Sequence, residues 1–358
     1  VSAWIEKLRT SWTGLLRSRS DGRSPAKAET QSGSRTLSPF WVMVQKEFGD
    51  HIRSWRFIIL LSIVTLACIG SIYAAVTALK NGTNSANNSN NSSIGETFLF
   101  LRMFTESDGS LPNFLTFLSF LAPLIGIALG FDAVNSERNK GTLSRLMSQP
   151  IYRDDFLVAK FVAGLLLIAV VIFSLGFLVM GMGLFTIGFP PTPEEFWRVF
   201  VALVITTIYV GMWLNLSIFF SVRFRQSATS ALSGIAVWIF FLVFYGMIVN
   251  LIGNLTLPGD LTDSKAYIDQ QNNLLLLSRL SPAYLFQEAA STLLLPDVRT
   301  LNPFITQDQA YLAVNAPLSF GQSLLLIWPQ VTAIVAETAL VFAASYVTFM
   351  RQEIRSRS

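Results

Sequence analysis

Glu337 is the first residue to weigh for chemistry, because it lies well inside a long apolar run, VTAIVAETALVF. An unpaired charge at the centre of a membrane helix costs roughly 3 kcal/mol on insertion scales. A carboxyl retained there points to proton or cation binding, or to a hydrogen bond with a hydroxyl on a neighbouring helix. Thr206, Thr207 and Ser233 are the candidate partners for that bond. Asn215 and Asn250 sit in two other apolar runs, where interhelical hydrogen bonding is an adequate role. Conventional catalytic arrangements are missing. The sequence holds no G-x-x-x-x-G-K-[ST] phosphate loop, no H-E-x-x-H and no G-x-S-x-G. The single histidine, His51, and the single cysteine, Cys68, leave no zinc, haem or disulfide site. No catalytic residue and no metal ligand set is expected.

The elements that carry these residues are membrane helices. Hydrophobic residues make up 52% of the chain and charged ones 13%, too apolar for a soluble domain of this size. Six runs are long enough to cross a hydrocarbon core: 57–79, 112–134, 156–187, 198–221, 228–252 and 322–349. Arg53, Arg56, Arg138, Lys140, Arg145, Arg153, Arg223, Arg225, Arg351, Arg355 and Arg357 all fall on one side of this arrangement. The loops between are neutral or acidic, so the positive-inside rule places both termini in the cytoplasm. No basic block interleaved with aromatics suggests nucleic-acid binding.

Between the second and third runs lies a charged island, ERNKGTLSRLMSQPIYRDDFLVAK, from Glu137 to Lys160. Its middle can form about two helical turns with Leu143, Leu146 and Met147 on one face. Gly141 frees the start, and Pro150 forces the end by removing a donor. The predicted product is a small amphipathic helix over 141–150, with no other segment of the loop long enough to cover its apolar face. Glu137, Gly141, Thr142, Leu143, Leu146, Pro150, Ile151 and Arg153, followed by Lys160, resemble the loop between spans two and three of type-2 ABC permeases. That family includes the permeases of sodium-efflux, gliding and nitrous-oxide-reductase-maturation transporters. The resemblance implies a coupling helix, in which Glu137, Gly141, Thr142, Leu143, Arg145, Leu146, Pro150 and Arg153 engage a separate cytoplasmic ATPase.

The remaining segments divide the chain into domains. Residues 1–38 read as a basic amphipathic stretch followed by a polar, Ser-rich linker. Residues 39–56 return to helix, with Trp41, Val44, Phe48, Ile52 and Trp55 on one face and Lys46, Asp50 and Arg53 on the other. This is similar to the family's elbow helix, for which Lys46, Phe48 and Arg53 are the candidate residues. The outer loop, 80–111, is Asn- and Ser-rich and reads as disordered or glycan-bearing; Asn254-Leu-Thr is a further acceptor triplet. Residues 253–321 hold apolar stretches suited to short helices that rest on the outer interface or dip into it, similar to the family's extracytoplasmic cap. A cytoplasmic tail, 350–358, follows span six.

The expectation is an all-α integral membrane protein of six spans, 57–349, with an elbow helix and an outer helical cap, in the manner of a type V exporter. The resemblance implies a permease in the plasma membrane of a prokaryote, present in two copies and served by two ATPase copies. ATP and Mg would bind that partner and not this chain. Gly126, Gly130 and Gly234 are the candidate seam between copies, although packing within one copy accounts for them equally well. Glu337, Asn215 and Ser233 are the candidate substrate path. A secondary transporter using Glu337, or a membrane enzyme, is the alternative.

Overall fold

The computed structural model describes residues 39–86, 98–147, 153–256, 264–296 and 318–351, apart from the side chains of 81–86, 144, 146, 147, 153 and 264–267. The segment 1–38, Pro150 and most of the C-terminal tail lie outside the described residues, as does the stretch 297–317. Among the described residues every regular element is helical. Lipid offers no hydrogen bonds, so each spanning segment must satisfy its own backbone.

The chain opens with α1 (Pro39–Ile52), then α2 (Trp55–Ala86) and the short α3 (Leu99–Thr105). Next come α4 (Phe114–Gly130), α5 (Asn135–Asn139), α6 (Thr142–Met147), α7 (Arg153–Ile187) and α8 (Pro193–Arg223). Span five comprises α9 (Ser227–Ile239), a π-helical turn at Phe240–Phe244 and α10 (Tyr245–Leu255). Then follow α11 (Ser264–Ser278), α12 (Pro282–Leu294) and α13 (Phe320–Met350). Among the described residues six helices are long and apolar enough to cross a membrane: Trp55–Lys80, Phe114–Asn139, Asp154–Ile187, Pro193–Arg223, Ser227–Leu255 and Phe320–Met350. Each coincides with one expected run to within a few residues.

Span four, α8, is the axis of the bundle. In its most apolar stretch 72% is buried, against 6% in span five. Thr192 and Glu195 form a capping box at its start, with Pro193 just inside, so its first donors are satisfied without water. Span two lies against it at very short range. A Cβ on Gly126 would stand 2.7 Å from the Val210 carbonyl oxygen, and one on Gly130 would stand 2.7 Å from that of Leu214. Gly234 in span five similarly faces Ile127 in span two, at 3.1 Å. These close approaches all lie within one chain, which is the packing role that the sequence offered for the three glycines beside a seam between copies. Their lack of a side chain serves the packing of spans two, four and five.

At the end opposite the arginines, α11 and α12 form a helical hairpin that enters the bundle. Leu277 accepts a hydrogen bond from Tyr245 Oη, roughly 15 Å from the Leu255 end of span five at 1.5 Å per residue. The hairpin then turns back, and Phe286 stacks on Tyr209 with centroids 4.5 Å apart and planes 8° apart. Tyr209 lies roughly 24 Å along span four from Pro193. Leu285, Phe286, Ala289, Ala290, Leu293 and Leu294 are all buried. Arg279 and Glu288 pair across the turn at 2.7 Å. The hairpin therefore fills the capped half of the bundle beside spans four and five. Within the loop 80–111, α3 packs Phe100, Leu101, Met103 and Phe104 into the core, whereas residues 87–97 of the Asn- and Ser-rich stretch lie outside the described residues.

Candidate functional site

The charged island is built onto the end of span two. Ser221 Oγ of span four accepts hydrogen bonds from Val134 N and Asn135 N, at 3.0 and 3.2 Å, and so fixes where span two stops. The turn of α5 follows and sets Glu137 inward, 9% exposed. Gly141 then adopts φ +69°, with nothing within 4 Å of a would-be Cβ. Its backbone conformation, not crowding, calls for glycine there. The reversal brings Thr142 back, and its hydroxyl donates to the Glu137 carboxylate.

Lys46 of α1 reaches the same carboxylate at 3.5 Å and also pairs with Glu47 at 3.2 Å and Asp50 at 3.6 Å. Glu47 in turn meets Lys160 of span three at 2.8 Å, with both side chains buried. Lys160 lies 5.0 Å from the centre of the Phe156 ring, which stacks on Phe349 near the end of span six. Arg56 closes the other flank, joining Asp132 at 2.7 Å. A single charged network thus ties α1, the α5–α6 turn and the first turns of span three.

The network sets its own protonation. Burial pushes the Glu47 carboxyl up, but the Lys160 and Lys46 ammonium groups outweigh it and hold Glu47 below the ordinary value. For Lys46 burial acts downward, and the carboxylates of Glu47, Glu137 and Asp50 raise it overall. His51 is held below its ordinary value by burial first, helped by the charge of Lys160 against the nearby carboxylates.

The expected contact residues fall into three groups. Lys46, Glu137 and Thr142 come together in the network. Phe48 packs partly buried against the core, whereas Arg53 and Arg145 are exposed. Leu143 is only 5% exposed and belongs to the chain's own core. The expectation that its face stays uncovered therefore fails for Leu143, which anchors α6 to the bundle. The side chains of Leu146, Met147 and Arg153 lie outside the described set. Glu47 was not singled out by the sequence reading, yet one signal marks it: an acid on the apolar face of α1, three residues from Val44.

The candidate path residues are only partly assembled. Asn215 Nδ2 donates to the Thr338 carbonyl at 2.7 Å, which fastens span four to span six beside Glu337. Asn215 Oδ1 and Glu337 Oε2 are buried without a hydrogen-bond partner among the described residues. Thr206, Thr207 and Ser233 bond backwards to Ala202, Leu203 and Thr229 of their own helices. None of them is the expected partner of Glu337.

A second charged group holds the capped end. Arg198 is fully buried and donates to the Leu293 carbonyl at 3.0 Å, to Ser323 Oγ at 3.0 Å and to the Leu318 carbonyl at 2.5 Å. Glu194 pairs with it at 2.8 Å, and Phe98 and Phe320 flank the guanidinium. Beside it Glu195 accepts from Phe100 N at 3.0 Å.

Residues 41–354 match the family described as ABC-2 family transporter protein. This chain belongs to that family. A similar curated protein is the probable ABC transporter permease protein NosY of Stutzerimonas stutzeri, 23% identical over 215 residues, which is 60% of this chain and 70% of the relative. The protein of the same name from Pseudomonas aeruginosa is 23% identical over 212 residues, 58% of this chain and 68% of that protein. The ABC-2 match spans all six long helices, so the chain is a multi-pass membrane subunit of an ABC transporter.

Proposed function

We propose that this chain forms the translocation path of an ATP-driven exporter, as a homodimer coupled to two copies of a separate ATPase. The observation that carries the reading is the network Glu137–Lys46–Glu47–Lys160, which makes α1, the α5–α6 turn and span three move as one piece. In this reading the basic end faces the cytoplasm of a prokaryote, α1 is the elbow and 141–150 is the coupling helix. ATP and Mg belong to the partner. Closure of the ATPase pair pushes on α6 and α1, and the ionic network passes that displacement into spans two and three. The largely exposed span five is the surface left for the second copy, and Glu337 with Asn215 lies on the path between spans four and six.

Leu146→Asp tests the reading. A carboxylate desolvated without a partner at a packed interface costs several kcal/mol. The variant should insert normally but lose its ATPase on co-purification from the membrane, or retain it with hydrolysis uncoupled from transport. Wild-type binding and coupling in this variant would remove α6 from the coupling role.

A further inference from the structure

The hairpin leaves a cleft of about 280 Å³ against the outer half of span five. Its polar lining consists of Asn250, Asn254, Gln270, Gln271, Ser278 and Tyr284. Val249, Leu274 and Leu275 supply the apolar walls. Among the described residues no ionised side chain lines it.

Gln270 is the fixed point. Its residue is 8% exposed, and Nε2 donates to the Gly253 carbonyl at 2.8 Å and to Thr256 Oγ1 at 3.3 Å. A carbonyl can only accept, so the amide orientation is settled and Oε1 is left buried with no donor among the described residues. A buried acceptor in this condition costs about 1–3 kcal/mol until something donates to it. Gln271 is half-buried, and Asn250 and Asn254 stand open at the wall. Each carboxamide offers a donor beside an acceptor, which matches two adjacent hydroxyls bidentately. Among the described lining residues an anion or cation finds no counter-charge, whereas a neutral hydroxyl-bearing ring finds paired hydrogen bonds and, in Leu274, Leu275 and Tyr284, surfaces for its C–H faces. The volume lies at the small end of ligand sites, suiting one ring rather than a chain.

We infer that the cleft between span five and the α11–α12 hairpin is a binding site for a neutral sugar ring, with Gln270 Oε1 accepting from one of its hydroxyls. The inference requires neither the ATPase nor a membrane orientation, so it stands or falls separately from the exporter reading.

The full chain in phosphatidylcholine nanodiscs, free of sugar detergents, provides the test. Saturation-transfer NMR would be recorded with the methyl glycosides of glucose, galactose, mannose and N-acetylglucosamine, and separately with monoglucosyl diacylglycerol incorporated in the disc. N-acetyl-glycyl-glycinamide and glucuronate would serve as the peptide and anionic comparisons. Saturable transfer to at least one neutral sugar, weakened tenfold or more in Gln271→Leu and in Asn250→Leu, is the expected result. Binding by the soluble glycoside would identify a free sugar, and binding by the glycolipid alone a lipid headgroup. Neither substituted side chain makes a hydrogen bond among the described residues, so both variants should melt as wild type does; Gln270→Leu would serve as the stronger variant. Binding of the peptide or the anion alone, no binding at all (a cleft holding only water), or binding indifferent to Gln271 and Asn250 would overturn the assignment.

Discussion

The bundle is held by a charged clamp at each end, and the two solve the problem of burying a cation differently. At the basic end Lys160 meets a carboxylate, Glu47, that is almost as buried as itself. At the capped end Arg198 is fully buried, but its one carboxylate partner among the described residues, Glu194, has a side chain 40% exposed. Most of the Arg198 contacts are neutral, namely two carbonyls and a hydroxyl. Guanidinium has enough donors to be satisfied by backbone oxygens, and an ammonium group is far more dependent on one counter-charge. The Lys160 clamp therefore joins α1 to span three as a pair whose members need each other. The Arg198 clamp gathers α12, span six and span four around one side chain.

The largest expected effect separates these two designs. Lys160→Met should leave Glu47 with only the half-exposed Lys46 as counter-charge and lower stability by up to roughly 3–5 kcal/mol, the cost of breaking a buried pair from one side. Adding Glu47→Leu should recover most of that loss, because an apolar replacement of both partners is often neutral. Arg198→Leu should cost about 2–3 kcal/mol through the lost charge-assisted hydrogen bonds. Glu194→Gln should not recover it, because the Leu293 and Leu318 carbonyls would still lack their donor. Thermal unfolding of the purified chain in detergent measures all four variants. Simple additivity of the Lys160 and Glu47 changes would show that they do not form an interdependent pair.

The sequence carried the spans and the charged island far better than the contacts within them. Apolar length and arginine placement mark the six runs because lipid imposes a length and a composition on each helix. The amphipathic spacing of α6 was also legible, but not the burial of Leu143 beneath it, which depends on where span two ends. Gly126, Gly130 and Gly234 announced close helix contacts without saying which helix approaches. Only the three-dimensional arrangement assigns them to spans four and two. The insertion of α11–α12 was half visible as apolar stretches in a loop, whereas the burial of Arg198 and Glu47 was not expected. A buried ion differs from an exposed one only by what surrounds it, and that surrounding comes from residues distant in the chain.

Acid should distinguish the clamps at an intermediate level. Glu47 has its folded value held below the ordinary one, so its contribution is complete above about pH 4.5 and is lost as pH falls through the depressed value. His51, also held low in the folded chain, begins to draw on stability once pH drops below about 6.5, where the unfolded chain takes up its proton first. The basic end should therefore loosen on acidification, with exchange-protected amides in α1 opening from below pH 6.5. In the combined Lys160→Met and Glu47→Leu variant the lower step should vanish while the His51 step persists. Hydrogen exchange followed by mass spectrometry from about pH 2.5 to pH 7 resolves the two; an unchanged lower step would assign it to another carboxylate.

Lys46 should show the smallest effect on stability and the most specific one on coupling. Its side chain is 53% exposed, so the ion pairs it makes with Glu137, Glu47 and Asp50 are screened, and each is worth at most about 1 kcal/mol. Lys46→Gln should therefore unfold within about 1 kcal/mol of wild type. Yet Lys46 is the bridge by which α1 reaches Glu137, and Glu137 is the residue that Thr142 of α6 leans on. Cutting it should let α1 and α6 move separately while the Glu47–Lys160 pair keeps α1 seated on span three. In the assembled transporter the expected result is ATP hydrolysis near the wild-type rate with less transport per ATP. Raising salt should imitate the substitution in the wild type and add little to the variant, because it screens the same exposed contacts. If transport per ATP is unchanged in Lys46→Gln at every salt concentration, the network only seats α1, and the movement of α6 reaches span three by another route.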